Sequence, residues 1–344
     1  MKLETVLRQL IAASGPAGFE DGVGDALAAC LAETGCTPVR DRLGSFIAVR
    51  RCGKENAPLL MLDTHIDEIG LITTVADESG FLKFGTLGGA DPRIMADCEV
   101  TVLCDPPLDG VICCLPPHVQ KAEDMKNFQT VNDMAIDCGM SKEEIEKRVE
   151  PGTPVVFKGA PMELINGNFV SRALDNRLCA AVAVCALDAV KSAELDYDIA
   201  FCASSMEEVG GRGARAAAFA LDPNGALVMD VTFAAAKGTP EDSTFGLDEL
   251  TFCVGPECDR PLTRILRNAA EQVGAAVKPE VCPRTTGTNG SDIQIARAGI
   301  PVAILSLPIR NMHTPVELVS LSNGEKAVEV VAEFLTALKG GDLL

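Results

Sequence analysis

Two of the three histidines in this 344-residue chain stand among carboxylates, in short polar segments that follow or open apolar runs. The segments are residues 63–68, 174–177, 206–210, 229–232 and 312–315. Each is placed where a buried strand would end or a helix would begin. Two imidazoles and several carboxylates suit zinc, cobalt or manganese. A carboxylate shared between two such ions suits hydrolysis at a paired-metal site.

The acids of these segments have simpler interpretations when each is taken alone. Asp175 could occupy the first turn of a helix, where the helix dipole favours an acid. Glu207 and Glu208 could form a solvated pair. All three adjoin apolar runs, however, where an unpaired charge is costly to bury. His65 also has Asp67 two residues away, which could hold and orient its ring. A metal cluster accounts for these positions together.

The bulk composition excludes several classes of partner. The formal net charge is −19, and binding to nucleic acid needs clustered Lys and Arg, so we expect no nucleic-acid partner. The chain has no Trp and one Tyr, which argues against aromatic platforms for bases or sugars. The acidic surface mainly favours solubility. It also attracts cations, including metal ions and the free amino termini of peptides.

Fourteen cysteines do not indicate a secreted disulfide framework in a chain of this size and apolar content. Several lie inside apolar runs such as residues 178–185, where they would behave as small core residues. No apolar run approaches the roughly 20 residues that span a bilayer. The first residues lack the basic and then apolar start of a signal peptide. We therefore expect a cytoplasmic protein with no membrane partner.

Strands alternate with helices over most of the chain. Apolar spacing predicts helices over residues 3–13, 23–33, 171–193, 211–221, 262–273 and 323–338. Short apolar runs predict strands over residues 58–62, 197–203, 226–231 and 302–307. This alternation predicts an α/β fold with a mixed sheet flanked by helices. In such sheets the chemistry collects at the carboxyl ends of strands, where His65, Glu207 and Asp230 fall.

Residues 70–170 follow a different pattern, with short β-like stretches broken by Gly, Pro and Asp. This part of the chain falls between segments that carry candidate metal ligands. We therefore predict an inserted β-rich domain over residues 70–170. Residues 1–69 and 171–344 would together form the catalytic α/β domain.

The five segments, in this order, resemble a family of dinuclear metal aminopeptidases whose subunits assemble into hollow tetrahedral dodecamers. The family includes glutamyl, leucyl and deblocking aminopeptidases, and some members were once labelled cellulase M. Further short motifs match it at residues 15–20, 41–44, 88–93, 115–118 and 299–301. The resemblance covers nearly the whole chain. Each motif is weak alone, but the five segments in order are a strong signal.

The resemblance implies a role for each matching residue. The implied metal ligands are His65, Asp175, Glu208, Asp230 and His313. Asp175 would bridge two ions, because one carboxylate can offer an oxygen to each. Each ion would then be completed by one imidazole and one further carboxylate. Zinc is the implied ion, and cobalt or manganese would suit the same ligands.

Two further acids have roles in the resembling enzymes. Asp67 would lie behind the ring of His65 and fix its tautomer. Glu207 would be the free general base, taking a proton from a metal-bridging water and passing it to the leaving amine. The peptide would lie with its free amino terminus at one ion and its carbonyl at the other. The resemblance also implies a non-proline cis peptide bond between Asp175 and Asn176.

The protein implied by the resemblance is a dinuclear metal aminopeptidase with a zinc-exopeptidase-like catalytic domain. It would remove amino-terminal residues from short peptides released by larger proteases. The inserted domain would serve assembly and access control. The subunits would form a homo-oligomer, which is a dodecamer in the resembling enzymes.

Three alternatives use the same residues. A related bimetal amidohydrolase or deacylase acting on N-acyl amino acids would need the same ligands. A glycoside hydrolase, suggested by the cellulase label, needs two carboxyls about 5–9.5 Å apart, which leaves two histidines and three acids unexplained. A scaffold protein with an idle metal site would have no need of Glu207.

Two places depart from the family pattern. Asn311 stands where members often carry Tyr, and residues 233–238 intervene where many carry an acid and a proline. Neither touches an implied ligand, but both could alter the substrate pocket, so we carry no family specificity over to this chain. The third histidine, His118, lies in a Pro-rich segment, where we expect a structural or subunit-contact role.

Overall fold

An eight-stranded mixed sheet forms the centre of the fold in the computed structural model, which describes residues 1–120, 128–241 and 243–344. From one edge to the other, its strands are β1 (Val39–Arg40), β2 (Phe46–Arg50), β12 (Asp198–Ser204), β3 (Leu59–His65), β13 (Gly225–Phe233), β16 (Val302–Ile309), β14 (Leu250–Val254) and β15 (Val277–Val281). The four central strands β12, β3, β13 and β16 run parallel. Their carboxyl ends therefore meet along one edge of the sheet.

Helices cover both faces of this sheet, which explains why the central strands are apolar on both sides. One face packs against α1 (Leu3–Ala12), α2 (Asp21–Ala32), α5 (Leu174–Ala189), α7 (Arg260–Gln272) and α9 (Leu321–Ala337). The other packs against α6 (Arg212–Leu221) and α8 (Gly290–Gln294). Within the described ranges, no helix combines the length and apolar character needed to cross a membrane.

Helix α5 is the most deeply buried of the layer and carries a candidate ligand at its start. It packs between α1 and α9 against the sheet. Its alanines, including Ala180, Ala181 and Ala183, are fully buried, and their small side chains let neighbouring backbones approach closely. Ala173, just before the helix, has a left-handed backbone (φ 56°). Asp175 follows with a non-helical backbone (φ −78°, ψ 105°), and its carboxylate lies 3.1 Å from His65, which ends β3.

A closed antiparallel barrel interrupts the main fold between β3 and α5. Around the barrel, its strands are β4 (Gly70–Ala76), β5 (Leu82–Leu87), β8 (Met134–Asp137), β7 (Leu108–Cys114), β6 (Glu99–Val102) and β9 (Pro154–Phe157). Two short helices, α3 (Pro92–Met95) and α4 (Lys142–Ile145), accompany it. Closure removes free strand edges, and residues such as Leu71, Ile112 and Val155 fill a separate core. The predicted α/β class with an inserted β-rich domain is confirmed.

A small third sheet joins the end of the barrel segment to the carboxyl-terminal part of the chain. Its strands are β10 (Met162–Glu163), β11 (Asn168–Ser171) and β17 (Glu317–Ser320). In the pairing of β11 with β17, Ser171 lies opposite Glu317. This pairing brings Glu317 close to the start of α5, where Asp175 lies.

The cysteines behave largely as the sequence predicts. All fourteen are unpaired, and Cys179, Cys185 and Cys202 are buried in the apolar cores. Burial raises the pKa of the Cys179 thiol well above its ordinary value, because the thiolate would lose its hydration.

Candidate metal centre

His65 ends strand β3 and is buried, with 2% of its surface exposed. Its Nδ1 lies 3.2 Å from the carbonyl oxygen of Asp67 and 3.4 Å from the Asp67 carboxylate. These acceptors favour a proton on Nδ1, which leaves the lone pair of Nε2 directed away from them. Nε2 lies 3.1 Å from Oδ1 of Asp175 and 3.5 Å from Oδ1 of Asp230.

Asp175 stands between the two imidazoles, with one oxygen facing each. Its Oδ1 faces His65, and its Oδ2 lies 3.3 Å from Nε2 of His313. That nitrogen also lies 3.3 Å from Oε1 of Glu208. Two donor groups therefore share Asp175, and Asp230 completes the group that contains His65.

The donor atoms have the spacing that metal ions require. A tetrahedral zinc ion with bonds of about 2.1 Å holds its donors about 3.4 Å apart. The separations of 3.1 to 3.5 Å between the imidazole nitrogens and the carboxylate oxygens of the two groups agree with that value. Each group offers one imidazole nitrogen and carboxylate oxygens, a set that suits zinc, cobalt or manganese. The residues fit two divalent cations.

The surrounding carboxylates strongly stabilise positive charge at both imidazoles. Burial alone would lower the pKa of His65, but Asp230 and Asp175 outweigh it and raise that pKa well above the ordinary value. Hydrogen bonds to Asp175 and Glu208 raise the pKa of His313 to about 11. Burial would raise the pKa of Asp175, but the two imidazoles facing it lower it.

Glu207 lies beside this cluster without belonging to either donor group. Its Oε2 is 4.0 Å from Nε2 of His65, and 18% of its side chain is exposed. The chain turns after β12 at Met206, which has a left-handed backbone (φ 57°). Glu207 then approaches His65, whereas Glu208 approaches His313. Burial, reinforced by Asp230 and other acids against an opposing effect of His65, raises the pKa of Glu207 to about 8.

Asp67 has a second role besides its contact with the ring of His65. Its Oδ1 accepts a hydrogen bond from the backbone N–H of Glu207 at 3.0 Å, and its Oδ2 accepts one from Glu208 at 3.1 Å. It is fully buried. One carboxylate therefore orients an imidazole and fixes the backbone that carries both neighbouring glutamates.

Glu317 supports the candidate metal centre, and no sequence pattern indicates this role. It is 2% exposed, and its two oxygens accept from the backbone N–H groups of Asp175 and His313, each at 3.0 Å. Burial raises its pKa well above the ordinary value. One buried side chain thus ties together two segments that carry candidate ligands.

The barrel also reaches the centre, through the loop that follows β5. The carbonyl oxygen of Gly89 lies 3.3 Å from Nδ1 of His313, so it can accept that nitrogen's proton and leave Nε2 free. A Cβ atom at Gly89 would lie 2.6 Å from the same nitrogen, so the close approach requires glycine. Gly89 belongs to a matching motif, but nothing in the motif indicates this contact.

All seven predicted site residues lie in one region of the molecule. Six of them line a cavity of about 460 Å³, namely His65, Asp175, Glu207, Glu208, Asp230 and His313. Asp67 lies behind them. The peptide bond between Asp175 and Asn176 is cis, as predicted. His118 does not line the cavity, and its side chain is exposed on the barrel segment.

Glu20, from the first matching motif, supports the turn that carries Glu207. Its Oε1 accepts from the backbone N–H groups of Gly18 at 2.7 Å and Met206 at 3.0 Å. Burial raises the pKa of Glu20 from 4.5 to about 7. The folded state therefore binds more protons between these two values, and the wild-type protein loses stability as pH rises through that window.

Replacement Glu20→Gln keeps the accepting oxygen and removes the buried charge. We expect it to stabilise the protein at pH 8 by about 1–3 kcal/mol relative to its effect at pH 5. Melting temperatures of both proteins at the two pH values measure this difference. The exposed Glu33→Gln is the matched control and should show no such pH-dependent gain. An equal shift at both pH values would contradict the assignment.

The chain is similar to known aminopeptidases. The model of the peptidase M42 family, described as M42 glutamyl aminopeptidase, matches residues 44–330. The lysyl aminopeptidase of Pyrococcus furiosus is 31% identical, over 98% of each chain. The TET aminopeptidase of a marine Thaumarchaeota archaeon superposes with a TM-score of 0.93 at 28% identity, over 99% of this chain and 98% of its own.

The TET1 peptidase of Pyrococcus horikoshii, solved as a dodecamer, superposes with a TM-score of 0.86. It is 27% identical and is matched over 98% of this chain and 100% of its own. The family match and the fold extend over the α/β part and the inserted barrel alike. The chain therefore belongs to the peptidase M42 family of aminopeptidases.

Proposed function

We propose that the protein is a dinuclear metal aminopeptidase that hydrolyses amino-terminal residues from short peptides. One observation carries the proposal: the two oxygens of Asp175 face the two imidazoles, and each imidazole has one further carboxylate beside it. His65, Asp175 and Asp230 would hold one divalent cation. Asp175, Glu208 and His313 would hold the other. Zinc is the favoured ion, with cobalt and manganese as alternatives.

The cations would polarise the scissile carbonyl and activate water. Glu207 is the general base, because it lies next to both donor groups and belongs to neither. Its carboxylate accepts a proton from the attacking water and delivers it to the nitrogen of the leaving peptide. Asp67 supports this step by fixing the backbone of Glu207 and the ring of His65.

The acidic lining of the cavity favours peptides with a free amino terminus. A neutral free amine can offer its lone pair to one of the cations that these carboxylates would hold, whereas the nitrogen of an acylated one has lost that lone pair to the amide. This argument, together with the aminopeptidases to which the chain is similar, sets the proposal apart from a deacylase of N-acyl amino acids.

We further propose that the barrel serves assembly and access control in a homo-oligomer, with a dodecamer as the expected form. Gly89, in the loop after β5, faces His313, so the barrel borders the cavity directly. The TET1 peptidase to which the chain is similar was solved as a dodecamer.

A comparison of free and acetylated peptides tests the activity. We expect the zinc-loaded protein to hydrolyse dipeptides with a free amino terminus, and to cleave their N-acetylated counterparts at least about 100-fold more slowly. A chelator should abolish the reaction and added zinc should restore it. Faster cleavage of the acetylated peptides would support the deacylase instead, and hydrolysis of β-glucans that ignores the chelator would support the glycosidase.

A further inference from the structure

One carboxylate in the substrate cavity takes no part in the proposed chemistry. Glu280, on edge strand β15, lines the same cavity as the metal cluster. Its Oε1 accepts a hydrogen bond from the hydroxyl of Thr232 at 2.7 Å, and its Oε2 accepts one from Thr251 at 2.8 Å. Both threonines are at least 95% buried. Their hydroxyls hold the carboxylate in place, and each oxygen keeps a lone pair for another donor.

Glu280 has no counter-charge within the described residues that line the cavity. None of the lining residues is Lys or Arg, and the nearby Lys278 is paired with Glu249 at 2.6 Å. Two divalent cations would balance the four other carboxylates of the lining. The negative charge of Glu280 then stays uncompensated in a half-enclosed cavity, where a bound cation would lower its free energy.

Glu280 lies where the side chain of a bound substrate could reach it. Asp230 and Thr232 lie two residues apart on β13, so their side chains share a face about 7 Å apart along the strand. Glu280 binds Thr232, and Asp230 belongs to the donor group of His65. A carboxylate therefore stands roughly one side-chain length from the place where the reacting backbone must lie.

The face of the sheet that carries Asp230 and Thr232 also offers an apolar surface. Ile304 and Cys253 lie on that face and line the cavity, so the aliphatic stem of a substrate side chain can pack there. Lysine combines a flexible four-carbon stem with a compact terminal charge, and arginine offers a planar group that binds carboxylates through two hydrogen bonds. The side chain of a substrate glutamate would place a second negative charge beside Glu280 and would be repelled.

We propose that Glu280 selects peptides whose amino-terminal residue has a cationic side chain, lysine or arginine. The inference rests on the proposed aminopeptidase function and names its substrate class. Glu280 binds the substrate side chain through a charge-assisted hydrogen bond and takes no part in bond cleavage. It is a specificity determinant of the cavity.

The test compares substrates that differ in the terminal amine alone. Lysine and norleucine 4-nitroanilides share a stem, and arginine and glutamate derivatives complete the set. We expect the zinc-loaded wild type to prefer lysine over norleucine by about 10- to 100-fold in kcat/KM. Glu280→Gln keeps an oxygen and an amide for the two threonines, so it should remove this preference and leave norleucine hydrolysis within about 3-fold.

A matched control and a binding measurement complete the test. Glu271→Gln removes an exposed carboxylate of helix α7 that does not line the cavity, and it should keep the lysine preference. Calorimetric titration of the zinc-loaded Glu207→Gln protein with L-lysine and L-norleucine should show tighter binding of lysine.

The outcomes separate this inference from the function on which it rests. Efficient hydrolysis of norleucine or glutamate derivatives in preference to lysine would overturn the role of Glu280 and leave the aminopeptidase standing. If Glu280→Gln lowered kcat/KM for all substrates to the same degree, Glu280 would have a purely structural role. If no free-amine substrate is cleaved, the proposed function fails, and equal binding of lysine and norleucine would then overturn the role of Glu280 as well.

Discussion

Replacement Glu207→Gln should lower kcat by about 100- to 10,000-fold while the protein keeps its metal ions. An amide has nearly the shape of the carboxylate but cannot accept the proton of the attacking water. Glu207 lies outside both donor groups, so its replacement leaves the three ligand residues of each group in place. Steady-state kinetics and metal analysis by mass spectrometry measure the two quantities on the same preparation.

The neighbouring residue provides the matched control. Glu208→Gln alters the same chemical group one position along the chain, but Glu208 lies 3.3 Å from Nε2 of His313 and belongs to a donor group. We expect this variant to lose metal together with activity. Unchanged turnover in Glu207→Gln would show that another group accepts the proton, and metal loss in that variant would place Glu207 among the ligands.

The parts of the fold that the sequence predicts well are those with strong local signals. Strands β3 and β12 contain continuous apolar runs, over residues 59–62 and 199–203, because both faces of the sheet are covered. Helix α5 is long and rich in alanine. The candidate ligands follow such elements directly, so the position of His65 at a strand end can be predicted from the pattern of apolar residues.

Glu280 illustrates what local pattern does not reveal. Strand β15 lies at the edge of the sheet and contains Pro279 and Lys278, so it has neither the continuous apolar run nor the clean alternation of a central strand. Nothing in such a segment predicts that one carboxylate faces the catalytic cavity. Its role depends on strand order, which places β15 beside β14 at the far edge.

The roles of Glu317 and Gly89 escape sequence patterns for a related reason, because their contacts cross large separations in sequence. Glu317 binds the backbone of Asp175, 142 residues away, and Gly89 faces His313, 224 residues away. Glu317 binds a backbone N–H group of Asp175, and Gly89 acts through its own carbonyl oxygen. A backbone group has no signature in the type of residue that carries it. Such contacts follow from the tertiary fold and cannot be predicted from one sequence.

Replacement Asp175→Ala should remove both metal ions, whereas His65→Ala and His313→Ala should each weaken one site. Asp175 belongs to both donor groups, and the two histidines belong to one each. Catalytic zinc sites use three protein ligands with a fourth position for water or substrate. Without Asp175, each group keeps only two ligands, so we expect the bound metal to fall from about two ions per subunit to nearly none.

The pattern of loss carries more information than any single variant. Each protein is saturated with zinc, desalted, and analysed for metal per subunit, with Glu280→Gln as a control that lines the cavity outside both donor groups. Two independent sites without a shared ligand would lose one ion at most for any single replacement. Retention of one tightly bound ion in Asp175→Ala would therefore contradict the bridging role. Loss of both ions there, with one retained in each histidine variant, is the result that only a shared carboxylate between two cations explains.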